Sequence, residues 1–151
     1  MPSHWILKTE PPAYPFARLL AERRTVWDGI SNALALRHLR AMAAGDRALI
    51  YHSGGERALV GLARISRAAY PDPRLGDPKR VVVEVTAERP LPRRVPLAAI
   101  KADPALAELG LVRQSRLSVV PVAPGQWRRL LAMAGASRGA SPRAPGARRP
   151  S

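Results

Sequence analysis

Trp27-Asp28-Gly29-Ile30-Ser31-Asn32 is the stretch on which the reading of this chain turns. A short extended run, Thr25-Val26-Trp27, ends in a tight turn at Asp28-Gly29 and leads to a helix start. Ser31 or Asn32 can cap that helix, because a short polar side chain accepts from the free N–H groups of a first turn. An aromatic ring thus stands at a strand end beside hydrogen-bonding groups. Two other blocks have the same make-up: Trp5-Ile6-Leu7-Lys8-Thr9-Glu10-Pro11 before it and Tyr51-His52-Ser53 after it. A flat polar ring needs a face to stack on and groups to meet its edges. The three blocks point to a nucleobase pocket rather than to a metal or a redox centre.

On the N-terminal side, residues 4–8 predict a short apolar strand, ended by Pro11, Pro12 and Pro15. Phe16, Leu19 and Leu20 fall at i, i+3, i+4 and predict a helix to about Arg23. Beyond Asn32, Leu36, Leu39 and Ala43 form a helical stripe with Ala35 and Met42 beside it, and Gly45 fits a left-handed stop. Residues 47–52 predict a strand, 53–56 a hairpin-like turn, and 58–67 another strand, in which Gly61 marks a bulge or a close approach. Residues 70–78 form an irregular loop. Residues 81–85 are apolar at nearly every position, so that strand is expected to be buried on both faces.

Residues 97–109 hold short helical turns broken at Pro104, and 113–116 form a polar loop before a strand over 117–120. Pro124 opens the last helix, with Trp127, Leu130, Leu131 and Ala134 on one side and Gly135 at its end. Trp5 and Trp127 are assigned to the core. No internal repeat is present. The segment 136–151 is rich in Pro, Ser, Gly and Arg, lacks apolar periodicity and is expected to be disordered. The expected organisation is one domain over 1–135 and a tail over 136–151. Five or six strands with three main helices, mixed in order, predict an α+β fold, and the short non-alternating strands suggest a compact mixed β-barrel.

The chain has 151 residues, enough for one core, and no Cys, which excludes disulfides, cysteine nucleophiles and thiolate metal sites. No apolar run approaches the ~20 residues of a membrane span, and no leader pattern opens the chain, so a soluble cytoplasmic protein is the expectation. The formal charge is +14, from 25 Lys and Arg against 11 Asp and Glu. Without the four arginines of the tail, 21 still stand against 11. Such an excess favours a polyanion, nucleic acid first. All the basic residues except Lys8, Lys79 and Lys101 are Arg, and the compositional bias of a GC-rich genome would raise Arg in the same way.

His4, His38 and His52 have no metal-ligand spacing. No phosphate-binding G-x-x-x-x-G-K-[ST], no dinucleotide G-x-G-x-x-G after a strand and no G-x-S-x-G elbow occur, so no cofactor is expected. Trp27 can stack a base for about 1–3 kcal/mol, although a Trp more often serves the core. Asn32 can read a base edge with one donor and one acceptor, or cap its helix, and the two roles can coexist. Lys8, Thr9 and Glu10 end one strand and Tyr51, His52 and Ser53 end another. If both ends open on one side, they line a pocket with Trp27. Arg113, Gln114, Ser115 and Arg116 offer guanidinium forks for phosphate and polar groups for a base edge; the alternative is a solvated turn.

These residues resemble the EVE domain, a member of the PUA-like superfamily, from Trp5 to about Ala134. The resemblance rests on Trp5-x-x-Lys8-x-Glu10-Pro11, Trp27-Asp28-Gly29-Ile30-x-Asn32, Leu39-Arg40, Gly45-Asp46, Tyr51-His52-Ser53, Gly61-Leu62-Ala63 and Tyr70-Pro71-Asp72. It continues through Val81-Val82-Val83-Glu84-Val85, Leu111-Val112-Arg113-Gln114-Ser115-Arg116-Leu117-Ser118-Val119 and Pro121-Val122. It implies a PUA-like barrel ringed by helices and a relation to YTH domains, which cage a methylated adenine, and to ASCH domains. EVE domains are thought to bind modified bases, chiefly modified cytosines in DNA, and in bacteria they often accompany modification-dependent restriction.

The resemblance gives Trp27 the role of cage wall and Asn32, Ser53 and Lys8, Thr9 and Glu10 that of edge readers. It sets Arg113, Gln114 and Arg116, with Ser115 and Leu117 between and beside them, against the backbone or the flipped nucleotide. Tyr51, beside His52, and Tyr70 are candidates for further cage walls. Arg80 stands where members often carry Trp, Glu84 where they often carry Asp, and Ser31 where they often carry Arg.

The expected function is a non-catalytic reader of a modified base, of the 5-methylcytosine type, in flipped-out DNA. An RNA reader of a modified nucleotide is the alternative. A third reading is an ASCH-like hydrolase of modified nucleosides using Lys8, Thr9 and Glu10. Strand alternation sends Thr9 to the face opposite its neighbours, which weakens it. The expected partners are nucleic acid and a restriction nuclease, not a membrane, and the expected state is a monomer.

Overall fold

The computed structural model describes residues 3–136. Along the chain come β1 (His4–Thr9), α1 (Phe16–Glu22), β2 (Arg24–Trp27), α2 (Ala33–Ala41) and β3 (Arg47–His52). Next are β4 (Ala58–Pro71), β5 (Val81–Pro96), α3 (Leu97–Lys101), a 3-10 turn (Pro104–Leu106), α4 (Gly110–Arg113), β6 (Val119–Val122) and α5 (Pro124–Met133). The class is α+β, as expected. The strands form one mixed sheet in the order β2-β5-β4-β3-β1-β6. Only β1 and β3 pair in parallel, across the crossover that carries α1, β2 and α2.

Among the described residues no ladder joins β2 to β6, so the hydrogen-bonded sheet is open along that seam. It nevertheless curls. Lys8 and Thr9 of β1 and Thr25, Val26 and Trp27 of β2 line one cavity, although three strands separate β1 from β2 in the sheet. Register shifts interrupt its ladders, one between Ile50 and Tyr51 and four along β4 and β5. An extra residue in one strand increases local twist and re-aims the side chains beyond it.

The core forms where the apolar patterns meet. Ile6, Leu7, Leu49, Ile50, Leu59, Leu62, Ile65, Val83 and Val85 are fully buried in the sheet. In the valine strand only Glu84 departs from burial. Helix α1 docks through Phe16 and Leu19. Its approach explains Gly61: a Cβ there would lie 2.3 Å from the Phe16 ring. Helix α5 buries Trp127, Leu130 and Leu131, and Gly135, at φ +73, ends it as expected.

Several element boundaries differ from the sequence reading. Strand β4 runs to Pro71, into the expected 70–78 loop, because Tyr70 and Pro71 pair with Val82 and Val81. Helix α2 ends at Ala41, before the expected stop at Gly45, because Met42 turns extended (ψ 144). Strand β5 runs on to Pro96, where the sequence suggested nothing beyond residue 85. Pro90 pairs with Gly61, beside the register shift between Leu59 and Gly61, and Pro96 pairs with Ala58 as the last residue of the strand, where a residue that cannot donate is tolerated. Arg113 ends a short helix instead of opening a loop, and the last strand begins at Val119 rather than at Leu117. The expected tail lies outside the described residues except for Ala136, which is buried and bonds Leu131 O.

Candidate functional site

The Trp27 ring ends β2 on the inside of the sheet, with 6% of its surface exposed. It walls a cavity of about 550 Å³ lined by Lys8, Thr9, Tyr14, Thr25, Asp28 and Ile30, among others. Tyr14 meets Trp27 edge-to-face, with centroids 6.1 Å apart and planes at 88°. Its hydroxyl donates to Glu22 Oε1 at 2.6 Å, and burial followed by that carboxylate holds its pKa above the ordinary tyrosine range. The sequence reading missed Tyr14. It lies in the Pro11-Pro12-Ala13-Tyr14-Pro15 loop, where no periodicity marks a face. Thr9 fastens this loop by donating Oγ1 to Tyr14 O at 2.8 Å.

The three blocks converge, but on neighbouring hollows rather than on one. Lys8, Thr9 and Ser118 also line a second cavity of about 470 Å³, with Glu10, Tyr51, Ser53, Arg57, Lys101 and Arg116. The Lys8 ammonium stands between the two. It donates to Ser115 O at 2.8 Å and sits 5.8 Å from the Tyr51 ring centre. Burial pushes its pKa down. Ser115 and Arg116 continue into a third cleft of about 320 Å³, with Asn32, Gln114 and Leu117. The segment 115–118 is therefore a wall common to all three.

Several candidates have structural work to do. Asn32 accepts the Ala35 N–H at 2.9 Å, which is its capping role, and faces the third cleft rather than the Trp27 cavity. His52 is buried. Its Nε2 accepts the Phe16 N–H at 3.0 Å, which leaves the proton on Nδ1 to be donated to Glu56 Oε1 at 2.8 Å. That ring ties α1 to the turn after β3. Ser53 bonds Thr9 O through its N–H at 2.9 Å, and so joins two of the blocks. Arg113 pairs with Glu108 at 2.8 Å, and Leu117 is buried. Tyr70 lies apart from the Trp27 cavity, with its hydroxyl donated to Glu84 at 2.8 Å and its ring under the Arg67 guanidinium at 4.0 Å.

The loop between β4 and β5 reaches the cavity rim by another route. Arg74 bridges Asp28 and Asp72, and Arg80 Nε donates to Ile30 O at 2.9 Å. The bridging guanidinium holds the Asp72 carboxyl below the usual aspartate range. Arg80 therefore braces the Gly29-Ile30 turn. Among the described residues no three His, Asp or Glu side chains gather to hold a metal ion.

A family model described as the EVE domain matches residues 3–133. Thymocyte nuclear protein 1 of Homo sapiens is 29% identical over 87% of this chain and 73% of its own length. The solved structure of Rpa0253 from Rhodopseudomonas palustris is 41% identical, covers 88% of this chain and 93% of that one, and superposes with a TM-score of 0.84. Human THYN1 protein, crystallised in complex with 5-methylcytosine-containing DNA, is 29% identical, covers 87% of this chain and 97% of that one, and superposes with a TM-score of 0.81.

Proposed function

Since the chain belongs to the EVE domain family, we propose that it is a non-catalytic reader of a modified base in DNA, of the 5-methylcytosine type. The observation that carries this reading is the Trp27–Tyr14 cavity: two aromatic rings at right angles, with Lys8, Thr25 and Asp28 around them. A base drawn out of a duplex loses stacking and pairing worth roughly a few kcal/mol. Stacking on Trp27 would return about 1–3 kcal/mol, and edge hydrogen bonds the rest. The human structure with methylated DNA supports the choice of ligand.

In this reading Trp27, Lys8 and Thr9 serve the base. Tyr51, Ser53 and Glu10 serve the adjoining cavity, and Ser115, Arg116, Gln114 and Asn32 serve the groove that carries the strand onward. Binding, rather than chemistry, is the reading that the family and the human complex support. Thr9 Oγ1 donates to Tyr14 O and Lys8 Nζ gives one of its three N–H groups to Ser115 O, which leaves the ammonium two donors for a ligand.

The test is binding of the full chain to matched oligonucleotides at one salt concentration, with cytosine or 5-methylcytosine, as DNA and as RNA. Trp27→Ala should abolish the preference for the methylated strand and leave a salt-sensitive background. Unchanged discrimination in that variant would sink the proposal, and a preference for RNA would replace DNA with RNA as the ligand.

A further inference from the structure

Lys8, Arg57, Lys101 and Arg116 line the second cavity, against the single carboxylate of Glu10. None of the four cations forms an ion pair among the described residues, and what sets them apart from other unpaired cations such as Arg64 is that they line one hollow. Four cations beside one carboxylate repel one another on balance, and an anion among them lowers that cost. The surrounding groups suit an oxyanion. Tyr51 and Ser53 add hydroxyls, and Gly54 turns there at φ +83. Arg57 holds a left-handed φ of 47, a conformation a non-glycine residue adopts at a cost. Its carbonyl accepts the Leu97 N–H at 2.8 Å, which fixes the strained residue against the start of α3.

We infer that this cavity is a phosphate subsite, distinct from the aromatic cavity and separated from it by Lys8. It takes the phosphate of the nucleotide whose base enters beside Trp27. Guanidinium forks match phosphate oxygens in pairs, and the ammonium groups of Lys8 and Lys101 supply point charge. The two hollows share Lys8, Thr9 and Ser118, so one nucleotide can reach both. The inference rests on the modified-base reading for the molecule that carries the phosphate, but the anion affinity of the cavity is measurable without any base.

The experiment is an amide NMR titration of the full chain with methyl phosphate, repeated on Lys101→Ala/Arg116→Ala and on Arg64→Ala. Arg64 is exposed on β4, away from all three hollows. The wild-type chain should show saturable shifts at Gly54, Lys101 and Ser115. Affinity should fall about tenfold or more in the double variant and stay unchanged in Arg64→Ala. Shifts that do not saturate, or an equal loss in Arg64→Ala, would overturn the inference, because bulk charge would then explain the binding. A methylated DNA strand with the base placed internally, or next to a 5′-phosphorylated end, separates the sources. Sensitivity to the double variant at the internal position identifies a phosphodiester, and sensitivity only at the end identifies a phosphomonoester. Methyl phosphate carries no base, so failure of the modified-base reading leaves its result standing, and the reverse holds.

Discussion

The Asp46 carboxylate accepts three N–H donors: Ser3 N at 3.0 Å, Trp5 Nε1 at 3.0 Å and Ala43 N at 2.9 Å. With 3% of its surface exposed, it fastens the start of β1 and the chain after α2 to one point. Asp46→Ala leaves the buried Trp5 indole N–H without a partner, which costs about 1–3 kcal/mol. Urea unfolding monitored by tryptophan fluorescence should show that loss, and an unchanged midpoint would mean that water satisfies the indole. Individual residues were legible in the sequence to the extent that their roles are local. Asn32 stands in a helix-start pattern and caps that helix. Trp27 shows itself as an aromatic at a strand end. Tyr14 does not, because its ring acquires meaning only when the proline loop folds back over β2. Arg80 stands out in the sequence only as an arginine where the family often has Trp, and its role in bracing the turn through Ile30 O shows only in the folded chain.

Strands and helices were legible wherever the apolar period was clean: β1, α1, β3 and α5 follow it closely. The second half of β5 was not, because its three prolines, Pro90, Pro92 and Pro96, break any strand pattern, and only the pairing with β4 shows that the strand continues through them. Nor could any period reveal that the blocks would divide between adjoining cavities, since that depends on how far the sheet curls between β1 and β2. Gly61 lies where that curl and α1 meet. A Cβ at 2.3–2.4 Å from three carbons of the buried Phe16 ring forces the ring, or the helix that carries it, to shift. Gly61→Ala should therefore destabilise the chain by roughly 1–3 kcal/mol, as overpacking does. Phe16→Leu opens space at the same point. In a double-mutant cycle the two changes should compensate, with the pair less destabilised than the sum of the singles. Additive losses would show that α1 shifts freely and that the close approach is not a constraint.

Protonation and charge act on the whole molecule. His4 stacks on Trp127 at 4.4 Å and His38 tilts onto Trp5 at 6.0 Å. Burial lowers both pKa values from 6.5, aided by Arg47 for His4 and by Arg37 for His38. Between the lowered values and 6.5 the unfolded chain binds more protons, so stability is fully present above 6.5 and declines as the pH falls below it. Glu56, held down by His52 and Arg94, and Glu84, held down first by Tyr70, then act in the same direction. Their contribution is present above 4.5 and is lost on further acidification. Urea midpoints at descending pH should fall in two stages, and His4→Phe, which keeps the stack, should reduce the first. A first stage untouched by both His4→Phe and His38→Phe would remove the histidines from the account.

The same scale governs nucleic-acid affinity. Truncation after Ala136, which keeps that buried residue, removes four arginines and no acid. If the tail lies along the phosphates, the dependence of log K on log salt should become shallower by up to roughly 0.9 per arginine engaged. On the reading proposed above, in which the Trp27 cavity selects the base, the ratio of methylated to plain affinity should not move. An altered ratio would mean that the tail reaches the base or its neighbours, and the site would then have to include it.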